Sequence, residues 1–85
     1  MRSVYENVEL VRKAKNLTKT AVSKKLKLTL QGYRHIANGS VELGAERLRT
    51  IAEFLDVKPA IFFDDKLTEI VITKAESKET KGEKE

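Results

Sequence analysis

The 85-residue sequence contains no cysteine, one histidine (His35) and one proline (Pro59). Without thiols there is no disulfide framework and no thiolate metal site, which fits a reducing compartment. A single histidine cannot build a multi-histidine metal centre within one chain. There is no glycine-rich phosphate loop and no pair of carboxylates set in apolar surroundings, so an enzyme is not expected, and no cofactor. Asp64-Asp65 has too few other oxygen donors in sight to hold a cation, and reads as a capping or turn pair. No apolar run approaches the length of a membrane span, and the opening MRSVYENVEL lacks the apolar block of a signal peptide. The expectation is a cytoplasmic protein with no membrane partner.

What is present is ordinary in amount and uneven in distribution. Hydrophobic residues make up 40% and charged residues 35%, as in a soluble helix-rich protein, and the length allows one domain with a modest core. Residues 1–40 carry nine bases against Glu6 and Glu9, a net +7; residues 41–85 carry eight bases against eleven acids, a net −3. A basic half joined to an acidic half is the pattern of a face that meets a polyanion, although a solvated lysine-rich surface gives the same asymmetry.

Val4, Val8 and Val11 recur at helical steps, with Leu10 and Ala14 on an adjoining row, which predicts a first helix over Tyr5–Lys15. Glu9 and Lys13 form a favourable four-residue pair, and Asn16 is a left-handed stop. Thr18 is an N-cap for a short helix to about Lys25 that buries Val22 and Leu26. Thr29 is a second N-cap, opening a helix from Leu30 to about Ala37 that buries Tyr33 and Ile36 and ends at Asn38-Gly39. Tyr33 reads as a core anchor with its hydroxyl at the surface. Leu48, Ile51, Ala52 and Leu55 give the clearest helical face, between about Gly44 and Asp56. Pro59 opens a short fifth helix carrying Ile61 and Phe62. Glu69–Thr73 (EIVIT) is β-branched and predicts a strand. From Lys74 onward no large apolar residue occurs, so the tail is expected to be disordered.

Two short helices joined by a tight connection can place the second in a DNA major groove while the first crosses the backbone. From Val8 to Phe62 the sequence resembles the helix-turn-helix superfamily of phage repressors, Cro proteins and XRE-type bacterial regulators. The resemblance is carried by Val8, Val11 and Arg12; Leu17-Thr18; Val22, Ser23 and Leu26; Leu28-Thr29; Tyr33 and Ile36; Asn38-Gly39; and Leu48, Ile51-Ala52, Leu55, Val57 and Phe62. It covers about two-thirds of the chain. Three positions depart from the family pattern. Ala37 stands where a glutamate usually pairs with the first-helix arginine, which leaves Arg12 without that partner. Leu43 stands where proline is common, and Gly32 lies in the recognition helix where a polar side chain is usual.

The resemblance implies an all-α, five-helix, lambda-repressor-like helix-turn-helix domain over residues 1–65. A C-terminal strand within 66–74, a possible dimerisation element, and a disordered charged tail over 75–85 complete the expected chain. It further implies base-edge contacts from Leu30, Gln31, Arg34 and His35. Phosphate contacts fall to Thr18, Lys19, Thr29 and Asn38, with Lys24, Lys25 and Lys27 as weaker candidates that serve equally as solubility charges. Glutamine can pair with adenine, arginine with guanine, and leucine can pack on a thymine methyl. The expected partners are double-stranded DNA and a second copy of the chain, through Ile61, Phe62, Ile70, Val71 and Ile72. The function implied is a sequence-specific transcriptional regulator of phage or bacterial type, most simply a repressor. Two other readings stay open: the antitoxin of a toxin–antitoxin pair, and a protein-interaction module without DNA binding.

Overall fold

The computed structural model describes residues 2–84, with side chains through residue 77. Five α-helices follow one another: α1 (Val4–Ala14), α2 (Lys19–Lys25), α3 (Leu30–Ala37), α4 (Ala45–Leu55) and α5 (Asp65–Lys84), with a 3-10 turn over Pro59–Phe63 before the last. Among the described residues there is no strand.

Each of the first three helices starts on a hydroxyl. Ser3 accepts from the Glu6 backbone N–H while the Glu6 side chain accepts from the Ser3 backbone N–H, a reciprocal capping box. The hydroxyls of Thr18 and Thr29 accept from the N–H groups of Ala21 and Gly32, both at 3.0 Å. Three helices also stop in the same way. Asn16, Lys27 and Asp56 each adopt a left-handed φ of 59°. The following N–H then reaches back to close the helix: Leu17 to the Arg12 carbonyl, Leu28 to Ser23 and Val57 to Ala52. Asparagine and aspartate tolerate that conformation; lysine does so at a cost.

The core lies where the helix faces converge. Val8 and Val11 of α1, Val22 of α2, Tyr33 of α3, and Leu48, Ile51, Ala52 and Leu55 of α4 form one cluster with Ile61 and Phe62 of the 3-10 turn. Helix α1 packs against α3, the 3-10 turn and α5, while α2 packs against α3 and α4. The short α3 is thereby held along one face and open along the other.

The C-terminal segment departs from the sequence expectation. The fifth helix predicted at Pro59 is only the 3-10 turn, and Glu69–Thr73, predicted as a strand, lies inside α5. A lone strand leaves a row of backbone donors and acceptors unpaired, whereas a helix pairs its own. Thr68, Val71, Ile72 and Ala75 recur at helical spacing and form the packed row: Thr68 is fully buried and the other three are half-buried. The Thr68 hydroxyl donates to the Ile61 carbonyl, so the one polar member of the row is satisfied. The helical cost of β-branched residues, up to about 0.7 kcal/mol each, is smaller than the gain from burying them. The tail expected to be disordered, residues 75–85, falls mostly on residues whose side chains lie outside the described set.

Candidate nucleic-acid interface

The amphipathicity of α3 divides its residues by role. Tyr33 and Ile36 are buried on the inner face. Gln31, Arg34 and His35 are exposed, and Leu30 is half-buried beside them. The Gln31 and His35 side chains, one turn apart, approach to 3.4 Å between Nε2 atoms. Three polar groups able to address base edges thus share the open face of one helix.

The flanking polar groups keep donors available. Thr18 and Thr29 use oxygen lone pairs for capping, which leaves each O–H as a donor. Asn38 accepts from the Ser40 N–H through Oδ1 at 2.9 Å, so its amide NH2 remains a donor at the end of α3. Lys24, Lys25 and Lys27 are exposed. Lys25 shares a groove with Thr50, Glu53 and Phe54, on the α4 side of the molecule. Lys19 Nζ lies 3.9 Å from Glu9 Oε1.

Behind α3 sits a buried polar cluster. Glu9 accepts from Arg12 Nε at 2.9 Å and from Arg12 Nη2 at 3.0 Å, a two-pronged pair. The Tyr33 hydroxyl donates to Glu9 Oε2 at 2.7 Å, and Arg12 Nη1 donates to the Leu17 carbonyl. Arg12, left without the family's glutamate by Ala37, therefore finds its partner one turn back on its own helix. Tyr33 is a core anchor as expected, but its hydroxyl is turned inward to this carboxylate. Burial works to raise the Glu9 pKa, but hydrogen bonds from Arg12 and Tyr33, with the charges of Arg12 and Lys19, outweigh it and hold it below the ordinary value. Burial and the adjacent carboxylate together push the Tyr33 pKa far up.

The residues expected at a dimer interface separate. Ile61 and Phe62, 9% and 0% exposed, belong to the core and are corrected out of that role: the 3-10 turn points them at α1 and α4. Val71 and Ile72 are half-buried against the core, and only Ile70, 51% exposed, faces outward. Phe63 and Leu67, which the sequence reading passed over, are exposed with it at 61% and 42%.

Among the described residues no group of three or more histidines or carboxylates is placed to hold a metal ion, and no helix is long and apolar enough to cross a membrane. A capped short helix, a tight turn and a second capped helix with one open polar face define a helix-turn-helix protein. The model of the helix-turn-helix family matches residues 8–62, and the chain belongs to that family, in its XRE-type branch with Cro and lambda repressor. It is accordingly a DNA-binding transcriptional regulator of that type. No curated protein and no solved structure matches the chain.

Proposed function

We propose that the protein is a repressor of phage or bacterial type that occupies an operator as a two-fold dimer. The observation that carries this reading is the open face of α3, with Gln31, Arg34 and His35 exposed while the opposite face is buried. Gln31 and Arg34 read base edges, with His35 and Leu30 beside them. Thr18, Lys19, Thr29 and Asn38 engage phosphates on either side, with Lys24 and Lys27 as weaker contributors. Repression needs no catalysis, only occupancy of a site that overlaps a promoter.

One recognition helix reads few base pairs, which is why proteins of this type pair on half-sites about one helical turn apart. The second copy docks on the exposed apolar residues Leu67 and Ile70 of α5, with Phe63 exposed in the 3-10 turn before it. Lys66 and Glu69 flank that patch with opposite charges. Glu69 is already paired with Arg2 of its own chain, so the apolar residues carry the contact, and a two-fold axis sets the same patch against itself.

Selection of bound sequences from a random duplex pool tests the reading. The expected result is a pair of inverted half-sites, with affinity falling by about 0.9 log units per log unit of salt for each phosphate engaged. Arg34→Ala is expected to cost about 1–3 kcal/mol on the selected site and to relax choice at one base position. Ile70→Asp is expected to yield a monomer by sedimentation with weaker operator binding. No enriched sequence, or binding indifferent to salt, would sink the DNA reading. A half-site without its inverted mate would remove the dimer alone.

A further inference from the structure

We infer that Glu9, on α1 and not on the recognition helix, is a positioning residue for sequence reading: through the Tyr33 hydroxyl it fixes the rotation of α3 about its own axis. The inference rests on the DNA-binding reading of α3 and adds the part that holds that helix in register.

The need for such a part follows from how α3 is held, by apolar packing along one face against α1 and α2. It has eight residues, of which only Tyr33 and Ile36 are buried. Apolar contact is non-directional, so two buried side chains resist removal of the helix better than they resist its roll. A roll of about 10° at the side-chain radius of a helix moves the tips by about 1 Å, enough to spoil a hydrogen bond to a base. The hydroxyl of Tyr33 supplies direction. It sits between Gln31 and Arg34 in sequence and is tied to Glu9 Oε2 at 2.7 Å.

The anchor is itself fixed. Arg12 grips both oxygens of Glu9 and donates in turn to the Leu17 carbonyl, in the connection that leads into α2. The Glu9 side chain is only 15% exposed and that of Arg12 9%, so water competes weakly for these bonds. The second carboxylate oxygen lies 3.9 Å from Lys19 Nζ, at the first residue of α2. That contact is loose and the lysine is partly exposed, so the Tyr33 bond is the one that registers the base-reading helix. Its depressed pKa keeps it ionised through neutral pH.

The test compares wild type, Tyr33→Phe, Glu9→Gln and the double variant on two duplexes: the operator selected from the random pool, and a scrambled duplex of equal length. Tyr33→Phe removes one oxygen and changes no charge. Its operator affinity is expected to fall roughly tenfold, the equivalent of one hydrogen bond to a charged group. Its affinity for the scrambled duplex should stay within about twofold, because non-specific binding follows charge. Glu9→Gln should lose operator affinity likewise, and the double variant should be no worse than the weaker single. A merely structural role predicts something else: loss on both duplexes in proportion to the unfolded fraction seen by melting. That result, unchanged operator affinity in Tyr33→Phe, or additive losses in the double variant would each overturn the inference. If Glu9→Gln does not fold, the two-duplex ratio of Tyr33→Phe decides alone. A wild type that prefers no duplex refutes the DNA reading, and this inference with it; a wild type that discriminates while Tyr33→Phe discriminates equally refutes only this one.

Discussion

Helix α1 holds the two halves of the molecule by opposite means. Toward the reading half it uses ions placed inside: Glu9 and Arg12, with side chains 15% and 9% exposed, meet the Tyr33 phenol. Toward the C-terminal half it uses a neutral amide placed inside and leaves the ions outside. Asn7 is 1% exposed and donates to the Phe62 carbonyl at 2.9 Å and to Asp65 Oδ1 at 3.1 Å, while accepting from Arg2 Nε at 2.9 Å. Arg2 and Asp65 are about one-third exposed, and Glu69, which Arg2 also binds, more than half. The difference teaches where ionisation enters the stability of the fold. At the reading end a charge change acts on buried groups; at the other end it acts on groups that water already screens.

The largest effect should therefore fall at the reading end. Glu9→Ala strands the Arg12 guanidinium in a nearly dry site. We expect a loss of about 3 kcal/mol, at the low end for a broken buried pair because Arg12 keeps the Leu17 carbonyl. Asn7→Ala leaves the Phe62 carbonyl without its side-chain donor, and we expect about 2 kcal/mol. Urea melts of the two variants, two residues apart on one helix, check the order. A greater loss at Asn7 than at Glu9 would break the comparison.

Acidity sharpens it. Glu9 and Asp65 both have folded pKa values below their ordinary ones: Glu9 because its hydrogen bonds and neighbouring charges outweigh burial, Asp65 through its hydrogen bonds to Asn7 and the Arg2 backbone. A depressed carboxyl stabilises fully above its unfolded pKa, and that contribution disappears as pH falls through the folded value. The reading half accordingly weakens below about pH 4.5 and the C-terminal half only below about pH 3.8. The alkaline side separates them. Burial and Glu9 raise the Tyr33 pKa. Its contribution is intact below the unfolded value of about 10 and is lost progressively above it. The stability gap between wild type and Tyr33→Phe should narrow above about pH 10 in chemical melts. A gap that stays constant there would mean that the phenol is not held by the carboxylate.

The same contrast explains what the sequence made legible. The α2–α3 unit was readable because its instructions are local: Thr18 and Thr29 as caps, Asn16 as a left-handed stop, Val22, Tyr33 and Ile36 at helical spacing. The capping box of Ser3 and Glu6 was equally local and was missed, although S-x-x-E stands in the sequence. The C-terminal segment misled because its inward row begins with Thr68, a polar residue whose burial depends on a carbonyl seven residues earlier. With that position discounted, Ile70, Val71 and Ile72 look like a β-branched run rather than two faces of a helix. Of the candidate site, exposure on α3 followed from periodicity. The inward turn of the Tyr33 hydroxyl did not: it depends on Glu9, 24 residues away in sequence.

The smallest expected effect is at Lys27, in the turn between the two helices of the reading half. Its φ of 59° belongs to the left-handed region, and unlike Asn16 and Asp56 it has no short polar side chain to ease the conformation. Glycine removes the steric cost of about 1–2 kcal/mol but loses about 0.5–1 kcal/mol through the greater freedom of the unfolded chain. Lys27→Gly should therefore stabilise by about 0.5 kcal/mol, a shift of a few degrees in Tm for a domain of this size. The substitution also deletes an exposed charge, and operator titrations across salt read that separately. If Lys27 engages a phosphate, affinity falls and the salt slope drops by about one while the protein melts higher. If the slope is unchanged, Lys27 engages no phosphate. A Lys27→Gly protein that melts lower than wild type would show that the turn is not strained, and that lysine fits the helix stop as well as asparagine does.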